Sequence, residues 1–172
     1  MRSTRIRSLT EIALLVSILC VGSQLSIPTI FSVPITIQVL LVGIIGYFLP
    51  LKRALIAIIT YIIIGGIGAP VFANFGGGFG VLLGYTGGFI FGFIPLVVFC
   101  SLGKGKIKIL FGILGVIICH LIGIIQYSIV AKIPFLTSLV TMSLPYILKD
   151  IALTILAYLF AKILQNKLKR QS

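Results

Sequence analysis

Long apolar runs separated by short basic clusters constrain this chain more than any other feature of its sequence. The 172 residues are 59% hydrophobic and 9% charged, and their mean hydropathy is +1.28. Soluble domains carry charged residues at about 25%, so a water-soluble core could not absorb this excess of apolar side chains. We therefore predict a single polytopic membrane domain over residues 1–172, embedded in a lipid bilayer.

Six of the apolar runs are predicted to be the transmembrane helices of an all-α integral membrane protein. Their approximate limits are residues 9–26, 37–49, 54–66, 81–102, 109–131 and 145–164. The second and third runs are short against the ~20 residues that a bilayer requires. The longer connections are a proline-containing loop at 27–38, a glycine-rich loop at about 68–80, and a mildly polar connector at 132–143.

The distribution of basic residues predicts the orientation of this six-helix bundle. Six spans put both termini on one side, and only Lys132 and Lys149 then fall on the other side. The twelve basic residues on the side of the termini are Arg2, Arg5, Arg7, Lys52, Arg53, Lys104, Lys106, Lys108, Lys162, Lys167, Lys169 and Arg170. This bias predicts that both termini are cytoplasmic. Because the basic residues lie between apolar runs, the net charge of +12 does not indicate nucleic-acid binding.

Few side chains of this sequence could carry catalytic chemistry. The two acids, Glu11 and Asp150, lie at opposite ends of the predicted bundle, which disfavours an intramembrane enzyme with paired carboxylates. The single histidine, His120, is interpreted as a packed or hydrogen-bonded core residue, and no serine–histidine–acid set converges in the sequence. We predict no catalytic residue, no cofactor and no metal site, since the three cysteines lack metal-site spacing. The sequence contains no phosphate-binding loop motif.

Asp150 is the residue that the sequence most favours for a binding role. An ionisable group within a span costs ~2.5–3.5 kcal/mol on insertion scales and usually faces a cavity or the bundle interior. The alternative is an interfacial pair in which the neighbouring Lys149 points outward. Adjacent helical residues point about 100° apart, which argues against direct pairing of these two side chains.

Five uncharged polar residues are further candidates for a binding site: Asn74, Thr36, Gln38, Gln126 and Tyr85. Asn74 lies in the glycine-rich stretch and could bind a polar ligand or simply form a turn. Thr36 could be only a helix N-cap, and Gln126 could hydrogen-bond across helices. Tyr85 could be an ordinary interfacial aromatic.

Four segments together resemble the BioY family, the substrate-binding S components of biotin transporters of the energy-coupling-factor (ECF) type. The segments are Val33–Gln38 (VPITIQ), Gly65–Phe72 (GGIGAPVF), Gly84–Phe89 (GYTGGF) and Pro145–Asp150. The resemblance implies a six-helix bundle of the bacterial plasma membrane that binds extracellular biotin near its outer surface. It also implies partners, namely a membrane coupling subunit and two ATPase subunits.

The resemblance also implies roles for individual residues. By position, Asn74 and Asp150 match family residues that contact the biotin head group, whose cyclic urea offers two N–H donors and one carbonyl acceptor. Thr36 and Gln38 match the loop motif that covers the site. Two small residues of the first span, Ala13 and Ser17, resemble the stripe with which S components meet the coupling subunit.

This chain departs from the family pattern at three positions. Leu153 stands three residues after Asp150, where the family commonly has lysine, so Lys149 is considered as a substitute. Tyr85 stands where the family usually has proline, and Gln126 stands where an aromatic residue is often found.

A self-sufficient channel or facilitator for a small neutral solute is the alternative function.

Overall fold

The computed structural model of this chain is a bundle of helices around an apolar core. It describes residues 2–27 and 34–169, with side chains described over 6–27 and 34–168. Within these residues the helices are α1 (Arg2–Gly22), α2 (Gln38–Phe48), α3 (Leu51–Gly66), α4 (Phe79–Leu83), α5 (Gly87–Ser101), α6 (Ile107–Ala131), α7 (Phe135–Met142) and α8 (Leu144–Lys169). The prediction of an all-helical architecture is confirmed.

Two small non-helical features lie in the connections between these helices. After α1, the two-residue strand β1 (Ser26–Ile27) pairs antiparallel with β2 (Ile35–Thr36). A 3₁₀ turn, Ala73–Phe75, lies between α3 and α4. Helix α1 therefore ends four residues before the predicted limit at Ser26, which belongs to the hairpin instead.

The prediction of one continuous helix over residues 81–102 is wrong. Helix α4 ends at Leu83, the backbone becomes extended at Gly84, and α5 begins only at Gly87. The side chain of Gln126 on α6 stabilises this interruption, because its Nε2 donates to the carbonyls of Leu82 and Gly84, each at 2.8 Å. The Leu82 carbonyl at the broken end of α4 thus gains a donor, and the Gly84 carbonyl gains a second donor beside the Gly87 N–H.

The connector at 132–143 also contains a helix that the sequence analysis did not predict. Lys132 ends α6 in a left-handed conformation, with φ 56°, and Pro134 directly precedes α7. Proline suits this place, since the first residues of a helix have no internal acceptor for their N–H groups. The short α7 covers one end of the bundle and leads into α8 through Ser143.

The packing of α5 against α6 depends on small residues. A Cβ atom at Gly92 would lie 2.7 Å from the Cys119 sulfur and 2.8 Å from its Cα, so only glycine permits this approach. The buried core around this contact continues into α2, α3 and α8, where Val42, Ile58 and Ala157 are fully buried. The functional consequence is a rigid wall, formed by α5, α6 and α8, along one side of the bundle.

The outer surfaces of the long helices are apolar, as expected for contact with lipid. Large aliphatic side chains on the outside include Leu14 and Val21 on α1, Ile63 on α3 and Ile129 on α6. Among the described helices, α6 is the one that is long and apolar enough by composition to cross a membrane; α2 and α5 are apolar but shorter. The six-span count and the cytoplasmic termini stay predictions.

The two ends of the bundle differ in charge. Gln165 near the end of α8 donates to the carbonyls of Tyr47 and Phe48, at the end of α2, and Tyr47 in turn contacts the start of α6 through the Lys108 carbonyl. Arg53, after the α2–α3 turn, lies 3.2 Å from Glu11 of α1. We name this the basic end, since Lys52, Arg53, Lys104, Lys106 and Lys108 belong to its turns and helix starts. Arg2, Arg5, Lys169 and Arg170 have side chains outside the described residues.

Candidate functional site

A cavity of about 340 Å³ opens at the end of the bundle opposite the basic end. Its volume falls in the range of roughly 300–1,000 Å³ that is usual for small-molecule sites. Much of its lining is apolar or aromatic: Pro34, Val39, Phe72, Ala73, Val81, Phe89, Ile90, Phe93, Met142 and Tyr146. The polar lining consists of Thr36, Gln38, Asn74, Thr86, Cys119, His120, Lys149 and Asp150. Such a lining suits a mainly apolar ligand that carries a few polar groups.

Asp150 is the buried acid of this cavity, in the first part of α8. Only 6% of its surface is exposed. Its Oδ2 lies 3.1 Å from His120 Nε2, whereas its Oδ1 is buried and accepts no hydrogen bond among the described residues. Lys149 Nζ lies 2.8 Å from Oδ1 and offsets part of the cost of burying an acceptor that lacks a hydrogen bond.

Lys149 does contact Asp150, contrary to the prediction from helical geometry. Its Nζ lies 2.8 Å from Asp150 Oδ1, with angles that make an ion pair but not a hydrogen bond. The same Nζ donates to the Thr36 carbonyl at 3.0 Å. The Cα–Cβ directions of adjacent residues do diverge, but the four-carbon lysine side chain is long enough to fold back. Lys149 thereby joins α8 to the loop before α2 and places a cation in the cavity wall.

His120 belongs to this site, which the sequence analysis did not predict. The histidine is buried, as expected, but it also lines the cavity and contacts two polar partners. Its Nε2 faces Asp150, and its Nδ1 lies 2.9 Å from the Ser143 hydroxyl. A serine–histidine–acid set thus converges in space although not in sequence. Ser143 is 1% exposed and outside the cavity lining, so its hydroxyl is not placed to attack a ligand.

Asn74 lies at the rim of the cavity in a conformation that few residues adopt. Its φ and ψ are 56° and 39°, in the left-handed region that asparagine tolerates better than most side chains. Ser26 Oγ donates to Asn74 Oδ1 at 2.6 Å, and the Asn74 backbone N–H donates to the same hydroxyl. With Oδ1 engaged, the described residues supply no acceptor for its Nδ2. The amide can therefore donate to a ligand.

Gln38 and Thr36 line the cavity beside the start of α2. Gln38 is 7% exposed, and its Nε2 donates to Tyr61 OH at 2.8 Å and to Ser23 Oγ at 3.2 Å. Tyr61 OH in turn donates to the Val71 carbonyl in the glycine-rich loop. These bonds fix the Gln38 amide and leave its Oε1 without a described donor. The backbone N–H of Gln38 points to Thr36 Oγ1 at 3.4 Å, so Thr36 also has the cap-like contact that its position suggested.

Tyr85 and Gln126 do not line this cavity. Tyr85 is 47% exposed, and its ring packs 5.6 Å from that of Tyr127. Gln126 holds the α4–α5 interruption, which is the interhelical hydrogen bonding that was its alternative interpretation. Ala13 and Ser17 lie on an exposed face of α1, where the Ser17 hydroxyl donates to the Ala13 carbonyl. That face is far from the described cavity lining.

The residues that sequence reasoning missed are mostly aromatic or apolar. Phe72, Phe89, Phe93 and Tyr146 come from three different segments, since Phe89 and Phe93 share α5. An aromatic residue in an apolar run carries no signal that separates a binding wall from a core. His120 did carry a signal, since a histidine within an apolar helix needs polar partners. The sequence did not reveal that one of those partners would be Asp150, thirty residues away.

Comparison with known proteins identifies the family of this chain. The BioY family model matches residues 1–170. The chain is 34% identical over 160 residues to a probable biotin transporter BioY from Pyrococcus horikoshii, covering 93% of this chain and 97% of that protein. It is 33% identical over 166 residues to biotin transporter BioY2 from Lactococcus lactis subsp. cremoris, covering 93% and 91%. These relatives are named as transporters and not as enzymes.

A solved structure of a biotin-specific S component has the same fold as this chain. The chain superposes on the S component for biotin from an ECF-type ABC transporter with a TM-score of 0.87 and 25% identity, covering 96% of this chain and 94% of that one. The family match over nearly the whole chain, the two long relatives and the shared fold all lead to one assignment: the chain belongs to the BioY family.

Proposed function

We propose that this protein is the biotin-binding membrane subunit of a vitamin importer. The observation that carries the proposal is the presence, in the lining of one largely apolar cavity, of two polar atoms. One is a buried carboxylate oxygen that has an ion pair but no hydrogen bond from the described residues, and the other is an amide nitrogen for which those residues supply no acceptor. The first is Asp150 Oδ1 and the second is Asn74 Nδ2. A cyclic urea has N–H donors and a carbonyl acceptor, so its polar edges complement these two atoms.

The remaining lining supports the same ligand. Gln38 Oε1 offers a second acceptor, which matches the second N–H of a ureido ring. Phe72, Phe89 and Phe93 supply apolar contact for the sulfur-containing ring and the aliphatic chain. Lys149 balances the charge of Asp150, so the two residues add no net negative charge to the lining, which permits a ligand with a carboxylate tail.

The cellular setting is also part of the proposal. We infer six membrane spans, in which α4 and α5 share the fourth, with both termini and the basic end in the cytoplasm. The cavity then faces outward, where biotin arrives, and the protein is a multi-pass subunit of the bacterial plasma membrane. An ECF coupling subunit and two ATPase subunits would energise uptake, with the exposed Ala13–Ser17 face of α1 as the contact surface.

Biotin retention by the purified protein tests the binding site. We expect the unmodified protein to retain radiolabelled biotin and Asp150→Asn to retain at least about tenfold less, since a hydrogen bond to a charged group contributes about 1.5–3 kcal/mol. Glu11→Gln is the matched control, because Glu11 is the other acid and lies at the basic end. Absence of retention by the unmodified protein, or equal retention by Asp150→Asn, contradicts the assignment.

Uptake into proteoliposomes tests the partnership and its alternative. We expect transport only when the coupling subunit and the ATPases are present with ATP. The double substitution Ala13→Leu and Ser17→Leu should reduce uptake without reducing biotin binding, whereas Leu14→Phe, at a 60% exposed apolar position, should change neither. Uptake by this chain alone would instead favour the self-sufficient facilitator.

A further inference from the structure

Asp150 is held by a chain of buried polar groups that reaches away from the cavity. Ser143, at the junction of α7 and α8, contacts His120 Nδ1 at 2.9 Å, and His120 Nε2 contacts Asp150 Oδ2 at 3.1 Å. All three residues are at least nine-tenths buried, with 1%, 3% and 6% of their surfaces exposed. Three elements of the bundle, α6, α8 and the end of α7, therefore meet at one carboxylate.

The chemistry of these groups fixes the direction of each hydrogen bond. A carboxylate ion has only acceptor atoms, so the proton between His120 and Asp150 belongs to Nε2. In the neutral ring Nδ1 is then bare and accepts the hydrogen of the Ser143 hydroxyl. The edge of the ring is also constrained by Phe89, whose ring stands at 87° to it with centroids 5.6 Å apart. The imidazole has little freedom to turn.

This arrangement decides which oxygen of Asp150 remains for a ligand. A carboxylate on a rotatable bond can exchange its two oxygens, but one that is bound through Oδ2 cannot do so without breaking that bond. Oδ1 is left facing Lys149 Nζ at 2.8 Å, in an ion pair, with no hydrogen bond from the described residues. A ligand N–H that binds Oδ1 shares this oxygen with Lys149. We infer that His120, oriented by Ser143, is a positioning and specificity-determining residue that presents Asp150 Oδ1 to an N–H group of the ligand.

This inference rests on the proposed biotin function and extends it to residues that the family resemblance did not assign. His120 acts through Asp150 and has no hydrogen bond of its own to spare for the ligand, because both ring nitrogens are engaged. Its effect must therefore be selective. It should strengthen binding of ligands that donate an N–H to Asp150 and be indifferent to ligands that lack this donor.

Binding of paired ligands to paired variants tests this selectivity. The ligands are biotin and the two analogues in which one or the other ring N–H is replaced by oxygen. We expect His120→Leu to weaken biotin binding at least about tenfold while changing the affinity for one of these analogues less than about threefold. His120→Gln, which retains a donor, should recover part of the loss. A uniform loss for all three ligands would indicate a structural role and overturn the inference.

Two serines provide a matched comparison. Ser143→Ala should weaken biotin binding several-fold, because the imidazole loses the hydroxyl that orients it. Ser138→Ala removes another fully buried serine, on α7, whose hydroxyl contacts only the Pro134 carbonyl, and should leave the affinity unchanged. Equal effects of the two substitutions would contradict the role of Ser143.

A measurement on the unmodified protein keeps the inference testable even if a variant does not fold. The chain has one histidine, so protein labelled with ¹⁵N-histidine gives one imidazole signal pair. We expect a protonated Nε2 whose chemical shift moves when biotin is added; a bare Nε2 would overturn the inference. Failure of the unmodified protein to bind biotin would contradict the proposed function, whereas biotin binding that His120→Leu leaves intact would contradict only this inference.

Discussion

Gln126 on α6 bonds to Gly84 across the interruption between α4 and α5, with 2.8 Å between its Nε2 and the Gly84 carbonyl oxygen. The same nitrogen reaches the Leu82 carbonyl at 2.8 Å. One side chain thereby bonds to the end of one helix and to the segment that leads into the next, and the last residue of the interruption, Thr86, lines the cavity. The amide of Gln126 is therefore required to donate to these carbonyls.

Replacing Gln126 should therefore affect both stability and binding. We expect Gln126→Leu to lower the free energy of unfolding by about 1–3 kcal/mol, because the Leu82 carbonyl loses this donor and the Gly84 carbonyl keeps only the Gly87 N–H. Biotin affinity should also fall, since Thr86 lies in the interruption and Phe89 follows it, and both line the cavity. Thermal unfolding and biotin titration measure the two effects. Gln165→Leu is the matched control: it also loses two carbonyl contacts, but at the basic end, so stability should fall while affinity is preserved.

Gly65 allows the Phe72 ring to pack directly on α3. A Cβ at this position would overlap the ring, which is 1% exposed and lies edge-on to Tyr61 with centroids 5.4 Å apart. We expect Gly65→Ala to destabilise the protein by about 1–3 kcal/mol, as overpacking does, and to displace Phe72 from the cavity wall. A lower Tm and weaker biotin binding are the measurable results.

Gly80→Ala is the control for that substitution. A Cβ at Gly80 meets nothing within 4 Å, and the residue lies in α4. Alanine favours helix over glycine by about 1 kcal/mol, so this change should leave the Tm unchanged or raise it. Equal destabilisation by the two substitutions would contradict the packing explanation.

Tyr61 connects α3 to three other segments through its hydroxyl. It contacts Ser23 after α1, Gln38 at the start of α2 and the Val71 carbonyl in the glycine-rich loop. We expect Tyr61→Phe to cost about 1–3 kcal/mol of stability, because the Val71 carbonyl loses its donor. Amide hydrogen exchange in residues 69–76 should become faster. Tyr158→Phe, which removes a hydroxyl without a described hydrogen bond, should not have these effects.

Asn74 combines a backbone role with a proposed binding role, and glycine separates the two. Asn74→Gly keeps a residue that accepts a φ of 56°, so the loop should retain its conformation and the Tm should change little. The amide is lost, and we expect biotin affinity to fall by about tenfold. Titration calorimetry measures this. Phe75→Gly, at a neighbouring residue with φ 57° and 72% exposure, should bind normally; a matching loss there would indicate loop damage.

Local pattern predicted the helices well and their interruptions poorly. The apolar runs at 37–49, 54–66 and 109–131 correspond closely to α2, α3 and α6, because long apolar segments must pair their backbone groups internally. The interruption at Gly84 depends on Gln126, which is 42 residues away, so no local pattern could reveal it. Helix α7 was missed because threonine and serine in a short segment also suit a loop.

The residues of the candidate site also divide into those that the sequence identified and those that only their positions in space revealed. Asp150 and Asn74 were identifiable because a carboxylate in an apolar helix and an amide among glycines are exceptional residues in their segments. The contact between Lys149 and Asp150 was disfavoured from helical geometry and is nevertheless present, since the direction of a Cβ does not limit a long side chain. His120 and the four aromatic residues of the cavity wall became recognisable only through their positions in space.

The sequence by itself determined the apolar, helical class of this protein, the clustering of most of its basic residues away from its candidate site, and its membership of the BioY family. These properties follow from composition, order and motif, which exist before folding. Only the tertiary structure decided that Ser143, His120 and Asp150 form one hydrogen-bonded chain and that the second carboxylate oxygen faces Lys149. The physical reason is that a hydrogen bond or an ion pair requires two atoms to lie about 3 Å apart. The number of residues between two positions in the sequence does not determine that distance.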